Sequence, residues 1–272
     1  MLPYTNEYKI KHTFDVTNFR EVRQLNNKYL VRELSEKRIE TKFVDLNLFS
    51  SDEVNICGYL TPFYKAPLFF VPFNEYVTEN DIKTVSIAIL KLFELKKPIQ
   101  VVYNFPKGLN NNYLRSLIEF FESQPALNGH WISIEGNINI GQFLSASDMI
   151  LVPSDDCLGI ENIIYLALKY GCIPVTKRNY ICDKIITDIF DDMNTGCGFK
   201  EDKNIKIENI EEKEPIEIDA EKYTDIVLRA LNFYNENAMS LNLLIKNAMN
   251  SNIGWDFESI EQFNDLYENA LI

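Results

Sequence analysis

Residues 150–175, ILVPSDDCLGIENIIYLALKYGCIPV, hold the densest set of groups able to do chemistry. Asp155 and Asp156 follow a short apolar run, and Gly159 stands just before a helical pattern. Adjacent carboxylates at a helix start accept hydrogen bonds from its first N–H groups and oppose the positive end of its dipole. In that role they repel an anion, against the usual use of a helix N-terminus as an anion site. Lys177 and Arg178 close the next apolar run. They either contact an anion or form a solvated strand end. Thr195-Gly196-Cys197-Gly198-Phe199 reads as a tight turn. The two histidines, His12 and His130, stand too far apart in sequence to suggest a metal site or a histidine-activated nucleophile. The five cysteines (Cys57, Cys157, Cys172, Cys182 and Cys197) show no C-x-x-C spacing. They read as free thiols of a reducing, cytoplasmic compartment, with Cys157 and Cys197 on loops. No catalytic residue is assigned, and neither a cofactor nor a metal is called for.

The elements that must position these groups follow from periodicity. Ile160, Ile163, Ile164, Ala167 and Leu168 fall at i, i+3, i+4, i+7 and i+8, one apolar stripe of a helix. Gly171 stands where a C′ glycine stops a helix. Upstream, strands are expected at PLFFVPF, IQVVYNF, WISI and MILVPS, and downstream at IPV. Between them, helices are expected at 80–95, 112–123 and 140–147. This alternation predicts an α/β fold, a Rossmann-like parallel sheet covered by helices. A helical lead-in at 20–37 should bury Val22, Leu25, Tyr29, Leu30 and Leu34. A short helix is expected at 181–189, then an exposed acidic connection at 200–217. Helices at 219–235, 238–250 and 257–270 close the chain, with Trp255, Phe263 and Tyr267 as packing groups. The domain division read here is a lead-in over 1–60, the Rossmann-like domain over 61–255 and a C-terminal helix packing on it over 256–272.

Composition narrows the function. The 272 residues are 46% hydrophobic and 12% aromatic, enough for a large core. The formal net charge of −13 argues against nucleic acid, whose phosphates need Lys/Arg clusters, and against anionic membrane surfaces. No apolar run approaches the roughly 18–20 residues that span a bilayer. MLPYTNEYKIKH has no apolar h-region, so no secretory signal is expected.

The text also resembles a family. ILVPS, the ALKYG helix end and IPV are similar to the bacterial glycogen and starch synthases, where L-V-P-S leads through R-F-E-P-C-G-L to Y-G-T-x-P. The likeness is colinear over most of the chain. LPYTNEY with RQLNNKYLVREL resembles the lead-in L-P-Y-x-Y and K-x-x-N-K-x-x-L-Q-x-x-L. SASDMILVPS is similar to A-G-A-D-x-x-L-M-P-S, NTGCGF to T-G-T-G-F, and WDFESIEQFNDLY to W-x-x-S-A-x-x-Y-x-x-L-Y. The resemblance implies the C-terminal half of a GT-B glycosyltransferase, the half that binds a nucleotide sugar such as ADP-glucose or UDP-glucose. The glucan-binding N-terminal half would have to precede Met1, or come from a protein partner.

The resemblance also implies where a site should lie. The family's diphosphate-binding Arg and Lys fall on Asn74 and Glu79, and 68–82 contains no Lys or Arg. Removing one comparable donor costs about 3–4 kcal/mol of barrier. The family's sugar-reading Glu maps nearest to Asp156, and its open helix end to Gly159. The R-R-T-G-G-L loop becomes Lys177-Arg178-Asn179-Tyr180-Ile181, without its glycines. L-G-x-G becomes Tyr103-Asn104-Phe105-Pro106, and the base-stacking tyrosine becomes Asn137. Asp156, Gly159, Lys177, Arg178, Thr195 and Gly196 are the candidate substrate contacts. The expectation is a scaffold kept for binding or assembly, with transfer by this chain alone lost. The alternative is an active or split glucosyltransferase completed by another chain.

Overall fold

The computed structural model describes residues 17–36, 54–62, 66–108, 112–154, 159–202, 205, 207, 211, 213–236 and 238–251. Asp155, Asp156 and Cys157, and the segment 252–272 with Trp255, Phe263, Tyr267 and the proposed last helix, lie outside them.

A seven-stranded sheet organises the chain, in the order β1-β4-β3-β2-β5-β6-β7. Its strands are β1 (Asn55–Leu60), β2 (Leu68–Pro72), β3 (Gln100–Phe105), β4 (His130–Glu135), β5 (Met149–Val152), β6 (Ile173–Thr176) and β7 (Phe199–Lys200). From β4 to β7 every neighbouring pair is parallel, as the alternating pattern predicts. Phe69, Phe70, Val71, Val101, Val102, Ile150 and Leu151 are fully buried, as strands covered on both faces require.

Two strands go beyond the sequence reading. β1 pairs antiparallel with β4, Asn55 opposite Glu135 and Leu60 opposite His130. The segment 1–60 is therefore not only a helical lead-in, since its last residues complete the sheet edge. Gly58 makes that edge fit: it has φ +78°, and a Cβ there would lie 2.7 Å from the Trp131 carbonyl oxygen. β7 has two residues, too short to show a period.

The helices are α1 (Phe19–Glu36), α2 (Glu79–Glu94), α3 (Asn112–Ser123), α4 (Ile140–Ala146), α5 (Glu161–Lys169), α6 (Tyr180–Ile185), α7 (Pro215–Glu236) and α8 (Ala238–Asn250). α5 buries Ile164, Ala167 and Leu168 and ends in a Schellman motif: Gly171 N–H bonds the Leu168 carbonyl and Cys172 N–H that of Ala167. α1 buries Leu30 and Leu34 as expected, but not Leu25. Leu25 is 48% exposed, while Arg23 and Asn26 are buried beside Phe19, Leu30 and Leu34. The reason is polar: Arg23 Nη2 donates to the Tyr170 carbonyl at 2.7 Å and Asn27 Nδ2 to that of Ala146 at 3.2 Å. α1 thus meets carbonyls that the ends of α5 and α4 leave open. α6 stops at Ile185, short of 189, because Asp188 bends the chain back: its carboxylate accepts from Phe190 N–H (2.8 Å) and Lys200 N–H (2.6 Å). α7 starts at Pro215, inside the expected acidic connection, with proline at the position that needs no N–H.

Candidate functional site at the carboxyl edge of the sheet

Strand order reverses direction between β2 and β5, which places a topological switch point between their carboxyl ends. Ligands of open α/β sheets bind in the crevice at such a point. Its β2 wall begins at Phe73, whose N–H donates to the Asn104 carbonyl at 2.8 Å. Asn74 folds the loop onto itself, its Oδ1 accepting from Tyr76 N–H at 3.0 Å. Across the crevice stands Gly159, with φ +72°. A Cβ there would lie 2.9 Å from Asn74 Nδ2 and 3.3 Å from the Tyr76 ring. The structure therefore brings Asn74 and Gly159 together, in a packing so close that glycine is needed at 159.

Glu79 is exposed and ion-paired with Lys83 one turn on in α2. The helix start itself is closed by a capping box. Thr78 Oγ1 accepts from Asp81 N–H at 3.1 Å, and Asp81 Oδ2 accepts from Thr78 N–H at 2.9 Å. The local text T-E-N-D carries the signal for this box. The amides that a helix N-terminus offers to phosphate are partly taken here by the protein's own side chains.

Two buried aromatic rings meet at the ends of β2 and β3. Phe73 and Phe105 stack with centroids 4.8 Å apart. Asn104, buried, donates from Nδ2 to the carbonyls of Ile134 (3.2 Å) and Gly136 (3.1 Å) and so ties the ends of β3 and β4 together. Asn137 is exposed.

The cations lie at the ends of β6 and β7, each held by a carboxylate. Lys177 Nζ is 3.5 Å from Asp219 Oδ2. Arg178 donates from Nη1 to Asp183 (3.1 Å), from Nη2 to Asp191 (2.9 Å) and from Nε to the Glu201 carbonyl (2.6 Å). Lys200 Nζ meets Asp183 at 2.8 Å, Lys222 meets Glu201 at 3.3 Å, and Arg229 lies 3.7 Å from Asp188. Burial acts to lower the Arg178 guanidinium pKa, but Asp191 and then Asp183 outweigh it and raise it above its ordinary value. Burial likewise acts to raise Asp183, and Lys200 and Arg178 together pull it below the usual carboxylate range. Both shifts favour the charged forms of the Arg178–Asp183 pair. Asp183, Asp188, Asp191 and Lys200 went unnoticed in the sequence because no local spacing marks partners found 5 to 17 positions away.

Thr195 and Gly196 belong to a separate turn. Thr195 Oγ1 donates to Asp192 at 2.6 Å, and the Gly196 carbonyl accepts from Asn247 on α8 at 3.1 Å. A Cβ on Gly196 would lie 2.5 Å from the Ile189 Cα. Cys197 beside it is buried, and burial pushes its thiol pKa up.

No family model matches the chain. Glycogen synthase from Thermosipho melanesiensis is 28% identical over 142 residues, 51% of this chain and 26% of that protein. Over that stretch the chain is similar to a glycogen synthase. The catalytic domain of starch synthase IV from Arabidopsis thaliana, bound to ADP and acarbose, superposes with TM-score 0.68 and 18% identity. That match covers 98% of this chain and 46% of the starch synthase. HepE from Anabaena, in complex with UDP and glucose, matches with TM-score 0.51 and 11% identity over 75% of this chain and 48% of HepE. The fold is thus the Rossmann-like α/β fold found in GT-B glycosyltransferases. The chain spans about a quarter of the curated glycogen synthase that it matches. No helix among its described residues is long and apolar enough to cross a membrane.

Proposed function

We propose that this chain corresponds to the nucleotide-sugar half of a glucosyltransferase, serves as a binding or assembly module, and has no transfer activity alone. The observation that carries this is the state of the carboxyl edge. Retaining transfer places negative charge on a departing diphosphate, and preorganised cations normally supply the largest stabilisation. Here Asn74 folds its own loop, Glu79 pairs with Lys83, and Lys177 and Arg178 meet the chain's own carboxylates. ADP-glucose or UDP-glucose is the ligand class suggested by structures solved with ADP and with UDP and glucose. Titrating either into the protein by calorimetry should give a dissociation constant no tighter than millimolar. Micromolar binding would refute the proposal.

A split enzyme is the second reading, favoured by the coverage of 46% of the starch synthase catalytic domain. In it, a second chain supplies the glucan-holding half, with the division into a lead-in over 1–60, a Rossmann-like domain over 61–255 and a C-terminal helix over 256–272 kept as proposed. An upstream reading frame encoding such a half, and glucose incorporation into glucan when the two chains are mixed, would support it. Absence of both leaves the assembly role.

A further inference from the structure

At the ends of β6 and β7 the cations lie beneath and the acids above. The side chains of Lys200 and Arg178 are 6% and 16% exposed, those of Asp183 and Asp191 43% and 57%. Asp183 Oδ1 sits at the focus of two donors, Lys200 Nζ at 2.8 Å and Arg178 Nη1 at 3.1 Å. Arg178 Nη2 points instead to Asp191 Oδ2 at 2.9 Å. One guanidinium fork thus serves two carboxylates, although its parallel donors match both oxygens of a single carboxylate or phosphate. The cations do not depend on these acids alone for their position. Arg178 Nε is fixed on the Glu201 carbonyl, Lys200 N–H is held by buried Asp188, and Arg229 Nη1 donates to the Lys200 carbonyl at 3.2 Å.

We propose that Arg178 and Lys200 form a built anion site that the chain closes with its own Asp183 and Asp191, and that the ligand class it fits is a phosphate or diphosphate group. Lys200 Nζ and Arg178 Nη1 converge on one oxygen, and Arg178 Nη2 offers a further donor beside them. This rests on the preceding reading that the carboxyl edge gives no tight nucleotide-sugar binding.

The test is a gain of binding. Asp183→Asn with Asp191→Asn is titrated by calorimetry with inorganic pyrophosphate and, separately, with ADP. Pyrophosphate should bind at least about tenfold tighter than to the wild type, the equivalent of one charge-assisted hydrogen bond recovered. Adding Arg178→Gln should abolish the gain. Equal gains for both ligands mark a site for the phosphate group alone, whereas a larger gain for ADP marks a site that a nucleoside also reaches. Asp191→Asn alone, which uncovers only Arg178 Nη2, should show a smaller gain and serves if the double variant does not fold. A folded variant with unchanged pyrophosphate affinity overturns the proposal, as does micromolar pyrophosphate binding by the wild type. Micromolar ADP-glucose binding by the wild type with no pyrophosphate gain in the variants would refute the preceding reading and this one separately.

Discussion

Replacing Gly171 by alanine tests whether one glycine both ends α5 and leaves room for two other helices. Its φ of +65° lies in the left-handed region, which costs an alanine about 1–2 kcal/mol. The added Cβ would also stand 2.8 Å from Ile245 Cγ2 on α8 and 3.0 Å from Arg23 Nη2 on α1. Arg23 cannot swing aside without cost, because that nitrogen holds the Tyr170 carbonyl at 2.7 Å in a buried setting. Overpacking of this kind costs about 1–3 kcal/mol. The sum predicts a loss of about 2–5 kcal/mol, a large share of a domain's stability. Urea unfolding followed by circular dichroism should show a lower midpoint at unchanged slope. Gly171→Asn separates the two causes, since asparagine tolerates positive φ but carries the same Cβ. It should recover the backbone part only. A loss under about 1 kcal/mol for alanine would refute the reasoning, because either cause alone exceeds that.

Two further outcomes follow from the titrating groups. Asp183 has a depressed pKa in the fold, so its stabilising contribution is complete above the ordinary carboxylate value of 3.8 and is lost as pH falls through the lower folded value. Acid unfolding of the wild type should therefore steepen below about pH 4, and Asp183→Asn should flatten that limb in urea midpoints measured from pH 2.5 to 6. Among the described cysteines, Cys172, Cys182 and Cys197 are buried, and Cys57 is partly exposed. Alkylation of the native protein with peptide mapping should label Cys57 first and reach the other three only on unfolding; early labelling of Cys197 would contradict its packing.

The central sheet was legible because strands covered on both faces must be continuous apolar runs, and LFFVP, QVVYNF and MILV are such runs. β1 was not, because NICGYL at the sheet edge is mostly half-exposed and mixes polar residues with a glycine set by Trp131. α1 shows the limit of periodicity. Its apolar residues suggest a face through Leu25, yet the buried face carries Arg23 and Asn26, because what α1 meets includes carbonyl oxygens as well as side chains. That Asn74 and Glu79 carry no positive charge could be read from residue type alone. The carboxylates that cover Arg178 could not, since charge pairing across separate loops leaves no trace in spacing. The proximity of Asn74 to Gly159 likewise depends on β2 and β5 being neighbours, a fact of strand order.

The bonds from α1 to Tyr170 and Ala146 also set an order of events during synthesis. α1 leaves the ribosome before these partners, which lie 147 and 119 residues further along the chain. Until β5, α5 and the turn at Gly171 have formed, the buried side of α1, with Phe19, Leu30, Val31 and Leu34, has no acceptor surface from those elements. Long-range closures of this kind slow folding, and domains generally fold as units during synthesis. The lead-in helix is thus made before the elements that complete its seat, and its bonds to Tyr170 and Ala146 can close only once β5 and α5 are made.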